Sequence, residues 1–169
     1  SQTIPAFNFN HLTSSSTGAR TLAASGTIGV AGVFTPSVNV YTVTGSTVDF
    51  NGTVAQTIPA FNYHHLTSSS TGGRTLAAAG IIGVAGVFTP SVNAYTITGS
   101  TVDFNGTGSQ TIPAFNFNHL TSSSTGARTL AAIGIIRVAG VFTPSTNVYT
   151  VTGSTVEFNG TVAQTVPAF

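Results

Sequence analysis

The chain has 169 residues, yet only four Arg, three acidic residues and no Lys carry formal charge, and Cys, Met and Trp are absent. Charged residues are 4% of the chain, against about 25% in an ordinary soluble domain. Without Cys there is no disulfide framework and no thiolate metal centre. A net charge of +1 offers no basic surface for nucleic acid, and no apolar run has the length of a membrane-spanning helix.

Internal repetition dominates the sequence. The phrase QTIPAF opens at Gln2, Gln56 and Gln110 and returns as QTVPAF at Gln164, always 54 residues on. The organisation read from this is repeat 1 over 2–55, repeat 2 over 56–109, repeat 3 over 110–163 and the start of a fourth over 164–169. The first and third copies differ at five positions: Ser25/Ile133, Thr27/Ile135, Gly29/Arg137, Val38/Thr146 and Asp49/Glu157. The closing segment repeats the opening phase, so the chain reads as an excerpt of a longer array.

Within one unit, helix is disfavoured by the abundance of Thr, Ser, Gly and Asn together with Pro5 and Pro36. Strands are expected instead, in chain order. In Ala6–Asn10, Phe7 and Phe9 share a face against Asn8 and Asn10. In Asn39–Thr44, Tyr41 and Val43 oppose Thr42 and Thr44. In Thr47–Asn51, Val48 and Phe50 oppose Asp49. Phe7, Phe9, Leu22, Tyr41, Val43, Val48 and Phe50 are the core candidates. Thr17-Gly18, Ser25-Gly26, Thr35-Pro36-Ser37 and Thr44-Gly45-Ser46 separate these runs as turns. The most specific turns are Asn51-Gly52, Asn105-Gly106 and Asn159-Gly160, where both residue types tolerate positive φ.

Short strands joined by turns predict an all-β fold. The preferred architecture is a parallel β-solenoid (β-helix) of about three coils per repeat; the alternative is a closed threefold domain of trefoil type. Near-identical units favour the solenoid, because identical neighbours stack polar side chains in ladders. With three coils per unit, Arg20, Arg74 and Arg128 would form one row at a spacing of about 14 Å.

The segments QTIPAFNFNHLTSSSTGARTL and GTIGVAGVFTPSVNVYTVTGSTVDFNGT resemble the repeats of very large bacterial surface and secreted adhesin-like proteins of the Bacteroidetes type. The resemblance covers the whole chain. It implies an extracellular or cell-surface β-solenoid with an adhesive, matrix-forming or filament-forming role, and it brings no catalytic residues. The regularity of these copies exceeds that of such repeats.

Chemical readings of single motifs are weak. His11, Asp49 and Ser14–Ser16 supply the residue types of a hydrolase triad, but no nucleophile elbow accompanies them. His64 and His65 are neighbours, which on a strand point to opposite faces and do not chelate one ion. The Thr pairs at Thr42/Thr44, Thr96/Thr98 and Thr150/Thr152 invite an ice-binding reading, at a spacing expected to be one pair per unit. Asn51-Gly-Thr, Asn105-Gly-Thr and Asn159-Gly-Thr match the N-glycosylation pattern but also read as turns. The functional expectation is therefore a non-enzymatic, cofactor-free filament or matrix protein whose main partner is itself. A stalk of a cell-surface adhesin is the alternative, and a glycan-binding module the second alternative.

Overall fold

The computed structural model describes residues 1–169, and every regular element in it is a strand. The first unit forms β1 (Gln2–Ile4), β2 (Asn8–Phe9), β3 (Leu12–Thr13), β4 (Arg20–Leu22), β5 (Thr27–Val30), β6 (Phe34–Thr35), β7 (Tyr41–Thr42) and β8 (Thr47–Phe50). The second forms β9 (Gln56–Ile58), β10 (Asn62–Tyr63), β11 (His65–Thr67), β12 (Arg74–Leu76), β13 (Ile81–Val84), β14 (Phe88–Thr89), β15 (Tyr95–Thr96) and β16 (Thr101–Phe104). The third forms β17 (Gln110–Ile112), β18 (Asn116–Phe117), β19 (His119–Thr121), β20 (Arg128–Leu130), β21 (Ile135–Val138), β22 (Phe142–Thr143), β23 (Tyr149–Thr150) and β24 (Thr155–Phe158).

Every pairing is parallel and joins a strand to the one three places along, as in β2-β5-β8-β11-β14 and β10-β13-β16-β19-β22. Three strands therefore complete one coil, and the chain winds through about eight coils. This is the expected β-solenoid. The closed trefoil is set aside, because β1 and β24 lie in different sheets and do not pair.

Eight strands per unit do not divide evenly among three faces. One unit makes two and two-thirds coils, so the expected three per unit holds only to the nearest whole number. Successive units climb about 13 Å and begin on a different face. The array is a threefold screw that regains its starting face after three units, about 38 Å along the axis. Arg20 on β4, Arg74 on β12 and Arg128 on β20 thus sit on three different faces rather than in one row.

The interior is one cluster of 25 buried apolar residues running the length of the coil stack. Leu22, Val48 and Phe50 are fully buried in it, while Phe9, Tyr41 and Val43 are half-buried and pack against it. Phe7 does not belong to the core: it is 63% exposed, and its ring meets that of Phe9 edge-on. Its equivalents show why. Phe61 lies against Phe34 and Tyr41, at ring-centroid distances of 5.2 and 4.8 Å, and Phe115 meets Phe88 and Tyr95 in the same way at 5.2 and 4.8 Å. Those partners come from the preceding unit.

The hydrogen-bond ladder is interrupted at regular steps. β6 pairs only with β3, β14 only with β11, and neither is bonded to β9 or β17 on the next coil. Pro36 follows β6 and Pro59 follows β9, so both strands facing that step end in a residue without an N–H donor. The Phe61 ring packs at this step and Phe115 at the equivalent one.

The Asn-Gly dipeptides form corners of the coil, not hairpins, and neither residue of any of the three adopts positive φ. Glycine is needed at Gly52, Gly106 and Gly160 because a Cβ there would run into the carbonyl oxygens of Ala31, Ala85 and Ala139 on the coil beneath. Positive φ falls elsewhere, at Gly26, Gly80 and Gly134, at Ser37 and Ser145, and at Gly45 (72°) and Gly99 (77°), the last two of which also lie against the Ala24 and Ala78 carbonyls.

Candidate functional site: the polar corners of the coil

Three polar devices recur in each unit. The first is internal. Gln56, Arg74 and Tyr95 begin β9, β12 and β15 and stack in register. The Gln56 side chain accepts from the Gly52 N–H at 2.8 Å through Oε1. Its Nε2 donates to Val30 O at 2.8 Å and Gly32 O at 2.7 Å, so the amide spans two coils. Arg74 is 1% exposed and meets no carboxylate. Its Nη1 donates to Gly72 O and Gly73 O, and its Nη2 to Phe50 O and Gly52 O on the coil below.

Gln110 and Arg128 repeat this arrangement, with Arg128 fully buried and donating to Phe104 O and Gly106 O. Burial pushes the Arg74 and Arg128 guanidiniums down from their ordinary value, offset in part by Tyr95 and Asp49, and by Tyr149 and Asp103. Arginine stays charged through such a shift, so Arg74 and Arg128 are buried cations whose hydrogen bonds all go to backbone carbonyls. The tyrosines close the stack from above: Tyr41 and Tyr149 donate to Ser14 Oγ and Ser122 Oγ.

The second device is the histidine corner. The Val33 N–H donates to His11 Nδ1 at 3.0 Å, Val87 to His65 at 2.9 Å and Val141 to His119 at 3.0 Å. An accepting Nδ1 places the ring proton on Nε2. Each ring lies over a glycine, Gly32, Gly86 or Gly140, where a Cβ would collide with it. His64 occupies the bend between β10 and β11, so strand alternation does not hold there. Its ring meets that of His65 edge-on at 4.4 Å, rather than pointing to the opposite face. Burial, then the His64 charge, lower the His65 pKa.

The third device is on the outside. Asp49 accepts from Ser69 N at 2.9 Å and Ser69 Oγ at 2.6 Å, and Asp103 holds Ser123 in the same way. These bonds pin the Ser/Thr-rich loop of the next coil. Between them Asn105 Nδ2 donates to Asn62 Oδ1 at 3.2 Å across Gly83. In the third unit Arg137 replaces that glycine and faces outward, pairing with Glu157 at 2.8 Å and with Asn116 Oδ1 at 3.3 Å. Arg137 and Glu157 are register partners, so two of the five differences between the first and third units form one contact.

The aspartates hold serines while each histidine accepts from a valine N–H, so Ser, His and Asp do not converge on one another. The Asn105 amide that a glycan would need is engaged by Asn62. Threonines line the faces once per coil, not once per unit: Thr57, Thr75 and Thr96 are in register, as are Thr111, Thr129 and Thr150. Clefts of about 420 Å³ open at the ladder breaks, one bounded by His11, Phe34, Gln56 and Pro59 and another by His119, Phe142, Gln164 and Pro167.

Sequence reasoning missed the buried role of Gln56 and Arg74, which sit at ordinary strand starts. The signal available was the phase shared by Gln-Thr-Ile, Arg-Thr-Leu and Tyr-Thr-Val, each a polar–Thr–apolar triplet opening a strand. No protein-family model, curated protein or solved structure matches this chain.

Proposed function

We propose that the chain is a non-enzymatic, extracellular structural repeat protein whose units stack coil on coil into a filament or matrix fibre. The observation that supports this reading is that every strand pairing runs to the third strand along, combined with eight strands per unit. Successive units meet in the same way, β8 bonded to β11 and β16 to β19, so the same contacts recur at each junction. Unpaired strand edges, an aggregation hazard in a closed domain, then become the growing surface. The polar corners support the same reading: Gln56, Arg74 and Asp49 each bind groups on an adjacent coil, and their purpose is cohesion along the axis.

A stalk that holds an adhesive domain away from a cell is served less well. A unit of 54 residues advances only about 13 Å as a solenoid, whereas one helix of that length would reach about 80 Å. Wall and stiffness, rather than reach, are what the unit supplies. Fibre diffraction from concentrated, aligned protein tests the proposal. The expected pattern has a meridional reflection near 4.8 Å and layer lines indexing on about 38 Å, with unit rise about 13 Å. A chain that stays monomeric by light scattering at high concentration and gives no oriented pattern would refute it.

A further inference from the structure

The corner histidines sit beside strands that are hydrogen-bonded along one edge only. The rungs β6, β14 and β22 each pair along one edge only, with β3, β11 and β19. At the entry to each of these rungs, the N–H of Val33, Val87 or Val141 is tied to a histidine Nδ1 on the coil below. Above β6 and β22 lies a cleft. The phenylalanine of each rung is anchored in the core and the glycine before the valine is held by a glutamine amide, so the histidine bond is what fixes the valine N–H at the rung's entry.

We propose that His11, His65 and His119 are acid-sensitive latches that release one rung per unit of the solenoid. A proton added to Nδ1 turns the acceptor into a donor and sets it against the valine N–H, so the bond is lost and two donors oppose each other. Nothing nearby stabilises the resulting imidazolium. The groups facing His11 are Gly32, Val33, Phe34, Val54, Gln56 and Pro59, and those facing His119 are their equivalents; none is ionisable. At His65 the neighbouring ionisable group is His64, another base, which adds repulsion.

The carboxylates Asp49 and Asp103 are engaged by Ser69 and Ser123 rather than by the histidines, and imidazole is the side chain whose ordinary protonation range lies nearest neutrality. For His65, whose folded value is depressed, the stabilisation is present above the ordinary imidazole value and is lost as pH falls through the folded one. Three latches on three faces, related by the screw, loosen the coil evenly around its axis. This inference concerns the single chain and stands whether or not the chain assembles.

Amide hydrogen exchange of the full chain, corrected for intrinsic rate, tests it. Protection at Val33, Val87 and Val141 is expected to fall about tenfold between about pH 7.5 and pH 5.5, while the buried amides of Ile28, Ile82 and Ile136 keep theirs. In the triple variant His11→Asn, His65→Asn, His119→Asn, the amide oxygen accepts in place of Nδ1 without titrating, and the three protections become independent of pH. If the triple variant does not fold, His119→Asn alone abolishes the pH response at Val141 and preserves it at Val33. Protection in the parent chain that ignores pH, or an Asn variant that keeps the parent's response, overturns the proposal.

Discussion

Replacing Arg74 by Met keeps the length of the side chain and removes the buried cation. Arg74 donates to four carbonyls, two of which, Phe50 O and Gly52 O, belong to the coil beneath. Arg20 occupies the same phase in the first unit and its strand lies on β1, but it makes no bonds equivalent to those with Phe50 O and Gly52 O and donates only to Gly18 O and Ala19 O. The two arginines are therefore an internal control for each other. Hydrogen bonds to a charged donor contribute about 1.5–3 kcal/mol each, so the two inter-coil bonds are worth about 3–6 kcal/mol gross. Relief of guanidinium desolvation returns part of that. The expected net loss for Arg74→Met is about 2–4 kcal/mol, and for Arg20→Met less than about 1 kcal/mol. Urea unfolding of both variants beside the parent reads the difference. Equal losses, or a stabilised Arg74→Met, would show that the carbonyl cage does not hold the coils together.

Two further predictions follow from the stacking. Phe115→Ala, which empties the space between Phe88 and Tyr95, costs about 3–5 kcal/mol, whereas Phe7→Ala, at an exposed ring with no such partners, costs less than about 0.5 kcal/mol in the same urea assay. Transplanting the third unit's ion pair into the second as Gly83→Arg with Asp103→Glu gives a favourable coupling of about 0.5 kcal/mol in a double-mutant cycle, small because the native pair's side chains are 35% and 46% exposed.

Much of the architecture was legible because the repeat fixes it. A 54-residue period without insertions, β-branched and aromatic residues in alternation, and Gly or Pro between the runs leave parallel stacking as the arrangement in which identical units meet identical neighbours. Leu22, Val48 and Phe50 were readable as core from alternation alone. Phe7 was not, because its burial depends on a preceding unit and not on its own phase. The Asn-Gly corners were recognised as corners, but the reason for their glycine was not turn conformation: it is the Ala31, Ala85 or Ala139 carbonyl arriving from the coil below.

What the sequence determined by itself is the unit and its strand content, since both depend on residues close along the chain. What only the tertiary structure decided is how many strands close a coil. That number depends on how wide a cross-section the side chains of three non-adjacent segments fill, and it turns eight strands into two and two-thirds coils and equivalent residues into a screw. The same cause hid the polar corners. Gln56 reaches Val30, Arg74 reaches Phe50 and His65 reaches Val87 across 22 to 26 residues, distances in sequence that become neighbours only once the coil has closed.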